Sequence, residues 1–212
     1  MSRTSRATIV SPHPDDEVFG VGGLIRELVR RRCTVRVVAV TDGEAAFGDR
    51  SPDERRALVE QRCTERADAF AHLGVANRVE VVRLRLPDGA LADHQDELAD
   101  RLTTLAGTVM LATWRGDGHP DHEAVGRAAA TAAARSCSRL LEYPVWAAER
   151  GRLPAIGSGS PLHIRHSPAT MAAKQRAVCA FRSQLEPSPD GRPVVPASLV
   201  QRLATADEVL FG

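Results

Sequence analysis

The sequence is almost without lysine: Lys174 stands alone, and the other 27 of its 28 basic residues are arginine. Those arginines are spread along the chain. Set against 27 acidic residues they leave a formal net charge of +1. No bulk field of the kind that steers nucleic acid or an anionic membrane surface follows from that balance, so a charged partner has to be recognised locally. Cysteine is sparse as well. Cys33, Cys63, Cys137 and Cys179 lie far apart and form no CxxC pair, which favours reduced, partly buried thiols over a disulfide framework. No stretch reaches the roughly 18 apolar residues needed to span a bilayer. The first ten residues carry two arginines and run into His13, Asp15 and Asp16 before an apolar segment of signal-peptide length can build up. A cytoplasmic protein without an integral membrane span is the expectation. Internal repeats and low-complexity tracts are also missing, and the 212 residues, 43% hydrophobic and 26% charged, are read as a single domain over 1–212.

What is present is an alternation of short β-branched runs and longer helical patterns. Residues 7–11, 34–41, 79–84, 109–113 and 140–145 read as strands buried on both faces. Residues 18–31, 52–73, 91–105 and 120–135 carry helix-period apolar positions, as in Leu24, Ile25 and Leu28. Repeated strand-then-helix units with right-handed crossovers predict an α/β, Rossmann-like, doubly wound and mostly parallel sheet. Beyond Val145 the character changes to a loop-rich final third: a Gly- and Pro-containing loop over 151–161, a short strand at 162–166, a helix from Ala169 to about Ser183, and an extended segment at 187–196.

In a sheet of this kind ligands bind beyond the carboxyl ends of the strands, and the two densest polar clusters fall there. The first is Ser11-Pro12-His13-Pro14-Asp15-Asp16-Glu17, between the first strand and the first helix. A helix cap accounts for one acidic residue but leaves a histidine and two adjacent carboxylates, held between stiffening prolines, without a role. The second is Gly116-Asp117-Gly118-His119-Pro120-Asp121-His122, which follows the fourth strand and opens the next helix. His119 and His122, three apart, can share a face, and Pro120 suits a first helical position. Two histidines and a carboxylate around a divalent ion with an open position form a catalytic zinc arrangement. A second aspartate beside it is then free to take a proton from water. Spacing alone does not say which aspartate does which.

The pair of motifs resembles the LmbE-like, PIG-L type N-acetylglucosaminyl deacetylase family, whose signature is a strand-terminal His-Pro-Asp-Asp-Glu followed about a hundred residues later by His-x-Asp-His. Here these are His13 to Glu17 and His119 to His122. Lesser similarities lie at Thr41 to Glu44, Arg62 with Glu65, Leu86 to Gly89, Lys174, Ser183-Gln184 and Glu208 to Phe211. The resemblance implies one Zn²⁺ per chain held by His13, Asp16 and His122, with Asp15 as general base. It makes His119, oriented by Asp121, the oxyanion stabiliser or the proton donor to the leaving amine, and it suggests Arg62 and Asp88 as contacts to sugar hydroxyls. The implied reaction is hydrolysis of the N-acyl amide of an amino sugar or its conjugate, a small-molecule substrate. A homo-oligomer is compatible with the composition. This chain departs from some relatives in having Trp114, Arg115 and Asp117 where a tyrosine can precede the second motif, and Ile164-Arg165-His166 where an acidic residue is common.

Three other readings compete. A metal-dependent phosphoesterase also uses Asp and His at strand ends, but a second full set of ligands is missing. A nucleotide-binding module is suggested by Gly20, Gly22 and Gly23, which do not form GxGxxG and follow the polar cluster instead of shaping its turn. A catalytically silent sugar-binding protein is disfavoured because each proposed catalytic position holds a competent residue.

Overall fold

The computed structural model describes residues 6–147, 149, 161–188 and 191–212. Five strands, β1 (Arg6–Ser11), β2 (Thr34–Ala39), β3 (Val79–Arg83), β4 (Val109–Thr113) and β5 (Arg139–Tyr143), form one sheet in the order β3-β2-β1-β4-β5. All four pairings are parallel. The chain winds outward from β1 through β2 to β3, then crosses to the other side of β1 for β4 and β5. This places the topological switch point between β1 and β4, where a crevice opens at the carboxyl ends of both strands.

Helices α1 (Asp16–Arg30) and α2 (Pro52–Leu73) cover one face, and α3 (Gln95–Leu105) and α4 (Pro120–Ser136) pack together on the other. The strands feed both layers by their two-residue alternation. Ile9, Val37 and Leu111 join the core under α1 and α2, whereas their neighbours Val10, Val38 and Met110 join the core under α3 and α4. A 3₁₀ turn, Leu91–His94, precedes α3, so the expected 91–105 helix is two pieces.

The final third is more regular than expected. Strands β6 (Leu162–Ile164) and β7 (Glu208–Leu210) pair antiparallel in a separate two-stranded sheet. The helix expected from Ala169 to Ser183 is α5 (Pro168–Val178) followed by a four-residue α6 (Arg182–Leu185), and α7 (Ala197–Thr205) was not expected at all. Much of the loop expected at 151–161 lies outside the described residues. The thiols also differ from expectation: Cys33 and Cys63 are half-buried, but Cys137 and Cys179 are exposed. No helix among the described residues is long and apolar enough to cross a membrane.

Helix α1 is interrupted at Val21, whose φ of −139° and ψ of 25° are not helical. The backbone N–H groups of Gly23 and Leu24, freed by the kink, donate to the buried Glu208 carboxylate at 2.7 and 2.9 Å. The glycines around the kink are there for close packing. A Cβ on Gly20 would lie 2.2 Å from Tyr143 Cδ2, and one on Gly23 would lie 2.5 Å from His166 Nε2. They form no open phosphate cradle, which removes the basis for the nucleotide-binding reading.

Candidate active site

Both polar clusters emerge at the switch point, one from the end of β1 and one from the end of β4. Proline and local hydrogen bonds set the first turn: Asp15 N donates to His13 O at 3.0 Å, and Ser11 Oγ lies 2.6 Å from His13 O. Glu17 does not join the crevice. Fully buried, it accepts from Ser11 Oγ at 2.6 Å and pairs with Arg66 Nε at 2.7 Å, tying α1 to α2.

His13 Nδ1, Asp16 Oδ2 and His122 Nε2 face one another. His13 Nδ1 and His122 Nε2 each lie 3.2 Å from Asp16 Oδ2, and they are 3.3 Å apart. That near-equilateral triangle matches three corners of a tetrahedral site: ligand bonds of about 2.0–2.1 Å imply edges of about 3.3 Å. The surrounding charge also suits a cation, since Asp15, Asp16, Asp88, Asp117 and Asp121 converge here and, among the described residues, the guanidinium of Arg62 is the one that meets them. His13, His119 and Asp121 form another potential donor group, but Asp121's two oxygens already accept from Gly89 N at 2.8 Å and Leu91 N at 3.1 Å. The donor set therefore fits a zinc-class ion at His13, Asp16 and His122.

Each imidazole is held from behind. His122 Nδ1 lies 2.7 Å from Asp117 Oδ2. His13 Nε2 lies 3.1 Å from Asp88 Oδ1 and 3.2 Å from Asp121 Oδ2. Such carboxylates fix the tautomer and leave the inward nitrogen's lone pair for a metal. Asp117 is completely buried and also accepts the N–H groups of Val145, Trp146 and Ala147 at 2.8–3.0 Å, joining the His122 side of the site to the chain leaving β5. Sequence reasoning assigned Asp117 no role of its own.

Three expected roles shift. Asp121 does not orient His119: it is anchored by the Gly89 and Leu91 amides and turns to His13. His119 Nδ1 is buried without a hydrogen-bond partner among the described residues. The ring lies over the cavity, 5.1 Å from that of His13 and 6.5 Å from that of Trp146, centroid to centroid. Asp88 is drawn to His13 and accepts from Ala45 N at 2.9 Å. Arg62, 2% exposed, reaches Asp15 Oδ2 at 3.2 Å and donates to Gly43 O at 3.1 Å. Gly43 sits at φ +70°, and a Cβ there would lie 1.9 Å from Arg62 Nη1, so the arginine's path requires glycine. Both Arg62 and Asp88 still line the cavity.

Electrostatics separates the adjacent aspartates. Burial pushes Asp16 up, but the charges and hydrogen bonds of His122 and His13 outweigh it and hold the carboxyl well below the usual range. Asp15 is pushed up to about 6, mainly by burial, with Asp16 adding to the rise and Arg62 opposing it. His119 is pushed down to about 4 by burial and by the charge of His122 and His13. At neutral pH that leaves a neutral imidazole, able to donate a hydrogen bond but not already carrying a spare proton.

His163 and His166 take no part. His163 is exposed, and His166 pairs with Glu208 at 2.8 Å behind α1.

The switch point of the parallel sheet thus gathers two histidines and an aspartate at the spacing of three corners of a tetrahedral site, with a second aspartate beside them. Over residues 8–133 the sequence matches the family described as PIG-L, GlcNAc-PI de-N-acetylase, and the chain belongs to that family. It is 31% identical over 129 residues to "Probable N-acetyl-alpha-D-glucosaminyl L-malate deacetylase 2" of Bacillus subtilis, covering 57% of each chain. To the protein of the same name in Bacillus cereus it is 29% identical over 189 residues, covering 84% of this chain and 83% of that one. The chain spans little more than half of the first of these, and only 7% of the length of another curated relative. Among solved structures, the conserved protein TT1542 of Thermus thermophilus superposes with a TM-score of 0.70 at 26% identity, covering 98% of this chain and 94% of that one.

Proposed function

We propose that this protein is a zinc-dependent N-deacylase that hydrolyses the amide of an N-acylated amino sugar or amino-sugar conjugate, releasing a free amine and a carboxylate. The observation that carries this reading is the donor triangle of His13, Asp16 and His122 with the Asp15 carboxyl beside it. Family membership and the names of the Bacillus proteins support the substrate class.

When bound at His13, Asp16 and His122, a divalent cation supplies a Lewis acid that polarises the amide carbonyl and makes water acidic. The protein's residues do the rest. Asp15, poised near 6, accepts the proton from the attacking water and is then the nearest acid to return it to the departing nitrogen. Arg62 holds Asp15 in place and sets how readily it ionises. Neutral His119 donates a hydrogen bond to the carbonyl oxygen as charge develops there, a role that suits the ring's position over the cavity. Asp117, Asp88 and Asp121 keep both liganding imidazoles in one tautomer.

The test is release of free amine from N-acetylglucosamine and its glycosides, followed by mass spectrometry, with zinc-loaded and metal-stripped protein in parallel. Release that depends on the metal supports the reading. Phosphate release from phosphomonoesters with inert N-acetyl substrates would establish the phosphoesterase alternative in its place.

A further inference from the structure

A second cavity, of about 250 Å³, opens between α2 and β3 and shares no lining residue with the one over the donor triangle. Its walls follow from two periodicities. Cys63, Arg66, Ala67 and Phe70, spaced i, i+3, i+4 and i+7, form one stripe of α2. Val81 and Arg83, two apart, share one face of β3. β3 ends the sheet, so no further strand among the described residues closes that side. Ala67 and Val81 are exposed and Cys63 and Arg83 half-buried, which gives the cavity an accessible rim above a floor of Arg66 and Phe70.

The floor holds an unmet charge. Arg66 is only 4% exposed. Glu17 takes its Nε at 2.7 Å, but its Nη2 has no hydrogen-bond partner among the described residues. A buried charged donor left unbonded is costly, and no carboxylate among the described residues lines the cavity to relieve it. Arg83 brings a second guanidinium to the rim, fixed by Asp42 through Nε and Nη2, each at 2.8 Å. Ala67, Phe70 and Val81 supply apolar surface in the same cavity.

We propose that this cavity binds a small carboxylate carrying an apolar group, its anionic end at Arg66 and Arg83 and its apolar end against Ala67, Phe70 and Val81. A carboxylate offers Arg66 a charge-assisted hydrogen bond, stronger than one to a neutral acceptor, and the apolar end separates this ligand from inorganic anions. The site stands whether or not the protein is an N-deacylase.

Cys63 reports on the site from within. Zinc-loaded protein is titrated with 3-phenylpropanoate and, in parallel, with 3-phenylpropan-1-ol, 3-phenylpropylamine and acetate. Iodoacetamide labelling of each cysteine is read by mass spectrometry, and the Val81 methyl resonances by NMR. Cys137 and Cys179, exposed and outside the cavity, are the internal controls. The expected result is saturable protection of Cys63 alone, a shift at Val81, and a Kd for 3-phenylpropanoate at least about tenfold below those of the alcohol, the amine and acetate. Arg66→Met is expected to abolish the preference for the acid. Should that variant fold poorly, since it strips Glu17 of its partner, Val81→Asp sets a negative charge at an exposed position on the rim and is expected to weaken binding several-fold. Equal Kd values for acid and alcohol overturn the assignment, as do an unprotected Cys63 and an unshifted Val81 at millimolar ligand. Acetate that binds as tightly as 3-phenylpropanoate means an adventitious ion only, and overturns it too. Undiminished binding in the folded variants places the ligand elsewhere and has the same consequence.

Discussion

Arg62 Nη2 lies 3.2 Å from Asp15 Oδ2, a buried ion pair whose acidic member lies at the edge of the catalytic cavity. In the proposed mechanism the pairing ties the rate to pH. Asp15 must be ionised to accept a proton, and Arg62 pulls its pKa downward against the larger upward push of burial. Removing the guanidinium therefore raises the Asp15 pKa, and the acidic limb of the kcat/KM profile moves to higher pH. An arginine beside an aspartate is worth about one to three pH units, so Arg62→Gln is expected to shift the limb by about one unit or more, with Arg62→Lys restoring part of it. An unmoved limb in Arg62→Gln would assign the limb to another group.

The donor triangle predicts metal content directly. Asp16→Ala and His122→Ala are expected to lose most of the bound zinc, measured by elemental analysis of protein desalted after loading. Asp117→Asn keeps every ligand but loosens the hold on His122, and is expected to cost about 10–100-fold in metal affinity or activity. Full stoichiometry in both ligand variants would remove the assignment.

Asp15→Asn is expected to keep its zinc and lose turnover by about 10² to 10⁴, the range for a missing general base. Loss of metal together with rate would mean that Asp15 shares in ligation. Glu17 offers no substitute, since Ser11 and Arg66 already hold its carboxylate away from the crevice.

His119→Ala is expected to lower kcat by about 10² to 10³ with a smaller change in KM, the loss typical of one oxyanion donor. Because the ring is already neutral at pH 7, the alkaline limb of the profile is expected to survive the substitution. If that limb vanishes in the variant, His119 carries the catalytic proton and the hydrogen-bond role assigned to it is wrong.

Behind α1, Glu208 gives a stability test independent of activity. Burial pushes its pKa up, but Lys174 and His166 outweigh that and hold it below the usual glutamate value. A carboxyl depressed in the folded state stabilises above its unfolded pKa, and the gain is lost as pH falls through the folded value. Glu208→Gln leaves Lys174 without its anion, and breaking a buried pair of this kind costs about 3–5 kcal/mol. In thermal unfolding the gap in Tm between wild type and variant is expected to be widest at neutral pH and to narrow in acid. A gap independent of pH would point to packing as the cause.

How far the sequence led depended on whether a feature was local. β1 and β4 and the motifs after them were legible because strand, turn and helix start follow one another within a few residues. Boundaries moved where side chains did unexpected work: α1 opens at Asp16, ahead of the expected Val18, and the expected strand to Thr41 ends at Ala39, beyond which Thr41 Oγ1 donates to Pro12 O. Asp117 stood in the second motif, but its partners Val145, Trp146 and Ala147 lie 28 to 30 residues on, and no spacing rule connects them. Arg62 and Asp88 were expected to contact sugar hydroxyls. The fold turns them onto Asp15 and His13, a choice made by α2 and by the turn after β3. Helix α7 was hidden behind a proline-rich segment and starts without a side-chain cap.

Lys174 is 1% exposed, its ammonium 2.7 Å from Glu208 Oε1. Since it is the only lysine, the folded surface presents no ε-amine. Reducing sugars condense with exposed amines, and under the proposed function the absence of a surface lysine leaves no lysine side chain to be glycated. The same burial makes acylation of Lys174 by an amine-selective reagent a clock for opening of the core, because the reagent reaches it only as often as the structure around Glu208 comes apart.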